Sequence, residues 1–272
     1  MNLPLKNYLE ISRQHNRKLL SLFLTAGFPT IEATLPLLQL LDAGGADLIE
    51  LGIPFSDPLA DGPTIQRSSQ LALQNGVTVQ KVLELAAAAK SSLRPPLILM
   101  GYYNPILKFG AHEFIRAAAR AGVQGLIIPD LPPEESLFVR AAALTAGISV
   151  IYLVSPNTSP HRLAVIDELT TSFIYAVSIT GVTGARTQVA SSTGEFLQKL
   201  KSATAHPVLV GFGVSNAEDA RLLSSVCDGV IVGSALLNEI EKNGVTEEGR
   251  EKISDFVRKL RRGLAGGPAA VE

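Results

Sequence analysis

GVQGLIIPDLPPEESLFVRAAALTAGISVIYLV (122–154) contains one complete structural unit. It opens with an apolar run at 125–128, passes through a loop of prolines and an aspartate, and continues as an amphipathic stretch at 134–146. Gly147 closes that stretch where a left-handed helix cap favours glycine, and a second apolar run follows at 150–154. Two short apolar runs joined by a helix-length crossover predict parallel neighbouring strands, because antiparallel strands need only a tight turn. The runs are apolar at nearly every position, as expected of strands buried on both faces.

The same unit recurs in both directions along the chain. Strands are predicted at 19–24, 48–51, 97–100, 125–128, 150–154, 173–177, 208–210 and 230–232. Helices are predicted at 31–43, 79–91, 113–121, 134–146, 162–169, 194–202 and 217–225, with 250–264 closing the ring. Gly45 and Gly122 follow helical stretches as Gly147 does. Eight such units predict an α/β fold, a single TIM (β/α)8 barrel with an extra N-terminal helix. That helix, at 5–14, is expected to cap the barrel floor. A doubly wound open sheet is the rival, but no G-x-G-x-x-G opens a helix after the first strand. One catalytic domain is expected over 1–264, and the tail AGGPAAVE (265–272), without periodicity, is expected to fray.

The chain has 272 residues, is 46% hydrophobic and 18% charged, and carries a net charge of −1. It forms no basic stripe, which argues against nucleic-acid binding. It has no apolar run of about 18 residues, so no membrane span is expected. The first residues are polar and do not resemble a secretory signal. The lone Cys227 suits a reducing compartment and reads as a small buried side chain. His15, His112, His161 and His206 are scattered without metal-ligand spacing, so no metal is expected.

In a barrel of this kind the chemistry lies at the C-terminal ends of the strands. Glu50 stands between Ile49 and Leu51 in an apolar strand. A carboxylate there is costly unless bonded, and burial raises its pKa toward the range useful for proton transfer. A structural glutamate bonded to backbone is the other reading. The loop IPFSDPLADGP (53–63) places Asp57 and Asp61 among three prolines, either as turn residues or as carboxylates aimed over the mouth. The seventh and eighth strands end in GFGVS (211–215) and GSA (233–235). Glycine turns leading into helices at these two places predict a phosphate site. After the sixth strand, residues 178–187 are small, polar and glycine-rich, the composition of a mobile lid.

Together these residues resemble the tryptophan synthase alpha chain family. The resemblance is carried by LTAGFPT (24–30), DLIELGIPFSDPLADGPTIQ (47–66), GYYNPI (101–106), IIPDLPPEE (127–135), GVTGAR (181–186), VGFGVS (210–215) and DGVIVGSA (228–235). It covers essentially the whole chain, and ELGIPFSDPLADGP (50–63) is its most specific part. The resemblance implies retro-aldol cleavage of indole-3-glycerol phosphate, with Glu50 and Asp61 catalytic. It implies phosphate binding at Gly213, Gly233 and Ser234, with Gly184 contributing from the lid. It places Tyr175 on the substrate side, Phe23 beside the indole pocket, and Thr183 on the lid, where it bonds the catalytic aspartate on closure. It places Asp57 and Asn104 in loops facing a beta subunit. Ile179 departs from members that carry arginine there, and Arg186 follows. The resemblance further implies two alpha and two beta chains, pyridoxal phosphate only on the beta subunit, and a cytoplasmic location, or the plastid stroma for a processed plant chain. A stand-alone indole-releasing lyase, a non-catalytic partner-switching subunit and another phosphate-sugar isomerase are the alternatives. The isomerase would explain the glycine turns but not the 50–63 segment.

Overall fold

The computed structural model describes residues 3–177, 186–211 and 213–265, with 186–193 described in their backbone only. Eight strands form the barrel: β1 (Leu19–Thr25), β2 (Leu48–Gly52), β3 (Leu97–Met100), β4 (Val123–Ile127), β5 (Ser149–Val154), β6 (Ile174–Ala176), β7 (Val208–Val210) and β8 (Gly229–Val232). They pair in sequence order, all parallel, and β8 returns to pair with β1, closing the sheet. The predicted barrel is the observed one.

The helices are α1 (Pro4–Gln14), α2 (Ile31–Gly44), α3 (Pro63–Gln74), α4 (Val79–Ala89), α5 (Tyr103–Phe109), α6 (Ala111–Arg120), α7 (Leu137–Thr145), α8 (Pro160–Leu169), α9 (Arg186–Ala203), α10 (Ala217–Ser224), α11 (Ser234–Asn243) and α12 (Glu247–Leu264). The second helix shows how the local sequence encodes its element. The Thr30 hydroxyl accepts the Ala33 N–H at its start, Leu37, Leu38 and Leu41 are buried along one face, and Gly45 ends it at φ +100°. Gly122 and Gly147 likewise have positive φ.

Four departures have local causes. Neither α3 nor α5 was predicted. The face that α3 buries is Ser68, Ser69 and Ala72, so its hydrophobic period is silent. The fifth helix has only seven residues and contains Pro105. Residues 134–136 form a 3-10 turn and its cap rather than the first turn of α7, because Pro132 and Pro133 precede them. The backbone of α9 is helical from Arg186, eight residues before the predicted start at 194. Residues 186 and 187 of the predicted lid stretch therefore belong to α9, and 178–185 lie outside the described residues, as do 1–2, Phe212 and 266–272.

Side chains alternate between two cores. Leu20, Leu22 and Leu24 face the surrounding helices, whereas Leu19, Leu48, Ile98, Ile127, Ile151 and Ile231 fill the barrel interior. Leu5 and Leu9 of α1 join that interior cluster, so the N-terminal helix closes the floor as expected. The floor is fastened electrostatically at Asp47, which is fully buried. Its carboxylate accepts the Leu20 N–H at 2.9 Å and pairs with Arg17 and Arg261, while Arg261 also donates to the Lys18 carbonyl. This network ties α12, β2 and the segment before β1 together. Asp47→Ala would leave a buried N–H without its acceptor and the largely buried Arg261 guanidinium without its counter-ion. It is expected to cost about 3–5 kcal/mol in urea unfolding, and a loss under about 1 kcal/mol would show the network to be dispensable.

Cys227 is buried, and burial pushes its thiol up to about 11, which leaves it inert at neutral pH. His112 and His161 are exposed as predicted, the former stacked edge-on against Phe138. Among the described residues no group of His, Cys, Asp and Glu could hold a metal ion. No described helix is long and apolar enough to cross a membrane.

Candidate active site

The C-terminal mouth of the barrel gathers the residues singled out from sequence. The register sets Glu50 opposite Phe23 of β1 and Ile98 of β3. Glu50 is 0% exposed, and its Oε1 accepts a hydrogen bond from the Ser21 hydroxyl at 2.6 Å. Its Oε2 is buried with no hydrogen-bond partner among the described residues. Burial pushes the Glu50 carboxyl up to about 7, against the opposing effect of the Ser21 bond. The structural reading, a glutamate satisfied by backbone, is therefore not what the geometry shows.

Asp61 sits half-buried at the end of the loop after β2. Turn bonds hold its backbone: its N–H donates to the Pro58 carbonyl and its carbonyl accepts from Gln66. Its Oδ2 accepts from the Tyr102 hydroxyl at 3.0 Å, and that hydroxyl in turn accepts the Ala60 N–H at 2.9 Å. Burial raises the Asp61 carboxyl to about 6, with the Tyr102 bond pulling the other way. Phe55 packs on Tyr102 with ring centroids 5.4 Å apart, joining the rim loop to the loop after β3. Asp57 and Asn104 are both exposed on this rim.

An apolar recess at the mouth is lined by Phe23, Ile53, Ile65, Met100 and Tyr102, with Asp61 on its wall. Phe23 lies so close over Gly52 that a Cβ there would stand 2.6 Å from its ring. Tyr175 lies over Gly211 in the same way. Burial raises the Tyr175 hydroxyl well above its ordinary range, and the Glu50 and Asp61 carboxylates raise it further, so it stays neutral. A larger cleft between the loops after β4 and β5 contains neither Glu50 nor Asp61, and its one cation, Arg162, is paired with Glu134.

The two glycine turns differ as anion sites. Asn216 caps α10 by accepting the N–H groups of Glu218 and Asp219, and both acids lie in its first turn. Ser215 gives its N–H and hydroxyl to Asp219. An anion is disfavoured there. The eleventh helix begins at Gly233 with no side-chain cap and no acidic residue in its first turn, which is the arrangement that receives phosphate. Ser234 stands exposed at its first position. Gly213, at φ +77° with open space around it, offers loop peptide rather than a helix end.

The structure thus brings Glu50, Asp61, Phe23, Tyr175, Gly213, Gly233 and Ser234 to one end of one barrel. Thr183, Gly184 and Ile179 lie outside the described residues. Two partners were missed from sequence. Ser21 could have been found as the one hydroxyl in the apolar run LLSLFL (19–24). Tyr102 stands within GYYNPI (101–106), and nothing in its sequence position points to Asp61, 41 residues away.

The sequence model of a family described as "Tryptophan synthase alpha chain" matches residues 9–264. The chain is 48% identical over 244 residues to a tryptophan synthase alpha chain of Picosynechococcus sp., covering 89% of this chain and 92% of that one. It is 44% identical over 248 residues to that of Dehalococcoides mccartyi, covering 91% and 96%. A crystal structure of a Legionella pneumophila tryptophan synthase alpha chain superposes with a TM-score of 0.89 at 34% identity, covering 100% of both chains.

Proposed function

The chain belongs to the tryptophan synthase alpha chain family, and from that premise we propose that it splits indole-3-glycerol phosphate into indole and glyceraldehyde 3-phosphate, with Glu50 as acid and base and Asp61 as acceptor of the ring N–H. The observation that carries this reading is the pair of carboxyls at one mouth, one fully buried with a free oxygen and the other half-buried beside an apolar recess.

The reaction needs three things. Protonated Glu50 gives its proton to carbon 3 of the ring, which becomes an electron sink with positive charge at nitrogen. Ionised Asp61 stabilises that charge through the ring N–H. The Glu50 carboxylate then takes the proton of the hydroxyl next to carbon 3. That oxygen forms the aldehyde carbonyl, and the electrons of the breaking carbon–carbon bond return to the ring. Glu50 ends protonated, as it began. One group serves as acid and base because its pKa lies near neutrality.

The phosphate sits against the N-terminus of α11 at Gly233 and Ser234, with the Gly213 peptide beside it. Phe23 flanks the indole, Tyr175 borders the substrate, and Thr183 and Gly184 serve on the lid, as the family resemblance implies. The chemistry asks only these groups of this chain, so pyridoxal phosphate is assigned to the beta subunit.

Family members work with a beta subunit, and the assembly proposed here has two alpha and two beta chains in the cytoplasm. The contact is assigned to the rim, where Asp57, Leu59, Asn104 and Leu107 are exposed. The Phe55–Tyr102–Asp61 chain of contacts leads from that rim to the catalytic aspartate. Indole release from indole-3-glycerol phosphate, followed while beta subunit is titrated in, tests the whole reading. Release that rises with partner is expected. No release at saturating partner overturns the activity, and full release with no response to partner would identify a stand-alone lyase.

The pH dependence follows from the required protonation states. The kcat/KM for cleavage should rise as Asp61 ionises near pH 6 and fall as Glu50 ionises near pH 7. The expected kcat/KM profile is a narrow bell, because it reports the groups of the free enzyme. A kcat/KM that stays level from about pH 7 to about pH 9 would contradict Glu50 as the initial acid.

A further inference from the structure

We propose that Ser21 is a positioning residue for the cleavage: its hydroxyl anchors Oε1 of Glu50 and leaves Oε2 as the oxygen that gives and takes the proton. The inference rests on the assignment of Glu50 as acid and base. Ser21 and Glu50 are both fully buried, on the adjacent strands β1 and β2, with 2.6 Å between Oγ and Oε1. Leu20 and Leu22 face the helices and Leu19 faces the interior, so alternation turns Ser21 inward with Glu50.

The two carboxyl oxygens are therefore unlike. Oε1 meets a donor, whereas Oε2 is enclosed and has no partner among the described residues. A buried carboxyl oxygen without a partner is costly in the resting protein. It is also the only one of the two free to meet substrate. With Oε1 held by a hydroxyl, the proton of the neutral acid resides on Oε2. A carboxyl free to rotate would present either oxygen in either state, and proton transfer depends on a fixed near-attack geometry.

The surroundings leave Ser21 little competition. The strand neighbours of Glu50 are Phe23 and Ile98, both apolar. Among the titratable groups nearby, Tyr175 feels the Glu50 charge and stays neutral, and Asp61 acts on the same Tyr175 hydroxyl. Only two influences act on Glu50 itself, burial upward and the Ser21 bond downward. Ser21 thus keeps the group in the working range that burial alone would overshoot.

Ser21→Ala and Ser21→Cys test this together. Cysteine fills nearly the same space with a much weaker donor, and it keeps the test open should the alanine variant fail to fold. The Glu50 titration is read directly by carbon-13 NMR of side-chain carboxyls in the ligand-free protein, assigned by its absence in Glu50→Gln. In Ser21→Ala the Glu50 pKa should rise by about one unit. The basic limb of kcat/KM should follow it, with kcat down about tenfold and KM within about twofold. Ser21→Cys should fall between Ser21→Ala and the parent. An unmoved Glu50 titration in Ser21→Ala overturns the inference, and so does a cysteine variant with parental pKa and kcat, since space-filling would then be the role. If the carboxyl titration moves but the kcat/KM profile does not, Ser21 still tunes Glu50, and the catalytic assignment of Glu50 is what falls.

Discussion

Glu50→Gln should lose about 10²–10⁴-fold of the cleavage rate and at the same time gain stability at alkaline pH. Glutamine keeps the shape and an oxygen for the Ser21 hydroxyl, but it can neither give nor take the proton. The gain in stability has its own cause. Folding raises the Glu50 carboxyl from an ordinary 4.5 to about 7. The folded state then holds a proton that the unfolded chain has already released, so stability falls as pH rises between those two values and stays low above the second. The cost on that plateau is on the order of 3 kcal/mol, and Glu50→Gln removes it. Denaturant unfolding should therefore show the variant more stable than the parent at about pH 8, with the difference shrinking toward about pH 4.5. Asp61→Asn should lose comparable activity and also gain stability above about pH 6, because burial raises the Asp61 carboxyl to about 6 as well; the gain is the smaller one, since Asp61 is only partly buried. A Glu50→Gln enzyme with near-parental turnover would end the assigned mechanism. An active-site group that destabilises its own fold is the expected signature of a carboxyl kept for chemistry rather than for structure.

Gly211→Ala is expected to damage the enzyme nearly as much, although it adds only one carbon. A Cβ at Gly211 would stand 2.0 Å from the Tyr175 Cε1 and 2.4 Å from its Cζ and Oη. Real atoms do not approach so closely, so either the ring or the strand end must move. The ring is nearly buried, with Gly211 hydrogen-bonded through its N–H to the Ala176 carbonyl behind it. Displacing Tyr175 reshapes the mouth where Glu50 and Asp61 act, and a misplacement of about 1 Å can cost on the order of 10²-fold in rate. The closest clash is with ring carbon, which Tyr175→Phe keeps, so that change should bring little relief. Shortening the side chain should: Gly211→Ala combined with Tyr175→Ala is expected to recover part of what Gly211→Ala loses, measured as kcat/KM for indole release in a double-mutant cycle. Parental kinetics in Gly211→Ala alone would mean that the ring moves aside freely.

The barrel was readable because its strands are continuous apolar runs separated by amphipathic helices, and a repeated period survives local noise. The period failed where burial is not apolar. The third helix packs through Ser68, whose hydroxyl lies 2.7 Å from that of Thr25, and a face of serines carries no hydrophobic signal. The start of α9 was hidden in the same way by the polar run RTQVASSTG (186–194). Both glycine turns were visible and looked alike, but the capping bonds of Asn216 and Asp219 set them apart as anion sites.

By itself, then, the sequence determined the closed alternation of strands and helices, the capped floor, and which carboxylates stand at the strand ends. These follow from spacing along the chain, through side-chain alternation and glycine-ended helices. Only the tertiary structure decided what those carboxylates can do. Ser21 is 29 residues from Glu50 and Tyr102 is 41 from Asp61. No local period encodes a hydrogen bond across strands. Pairing of neighbouring strands brings the pairs within 3.0 Å, Ser21 and Glu50 in an interior that water does not reach and Tyr102 and Asp61 at its half-buried mouth. A carboxyl pKa answers to enclosure and partners, and both come into being when the ring closes.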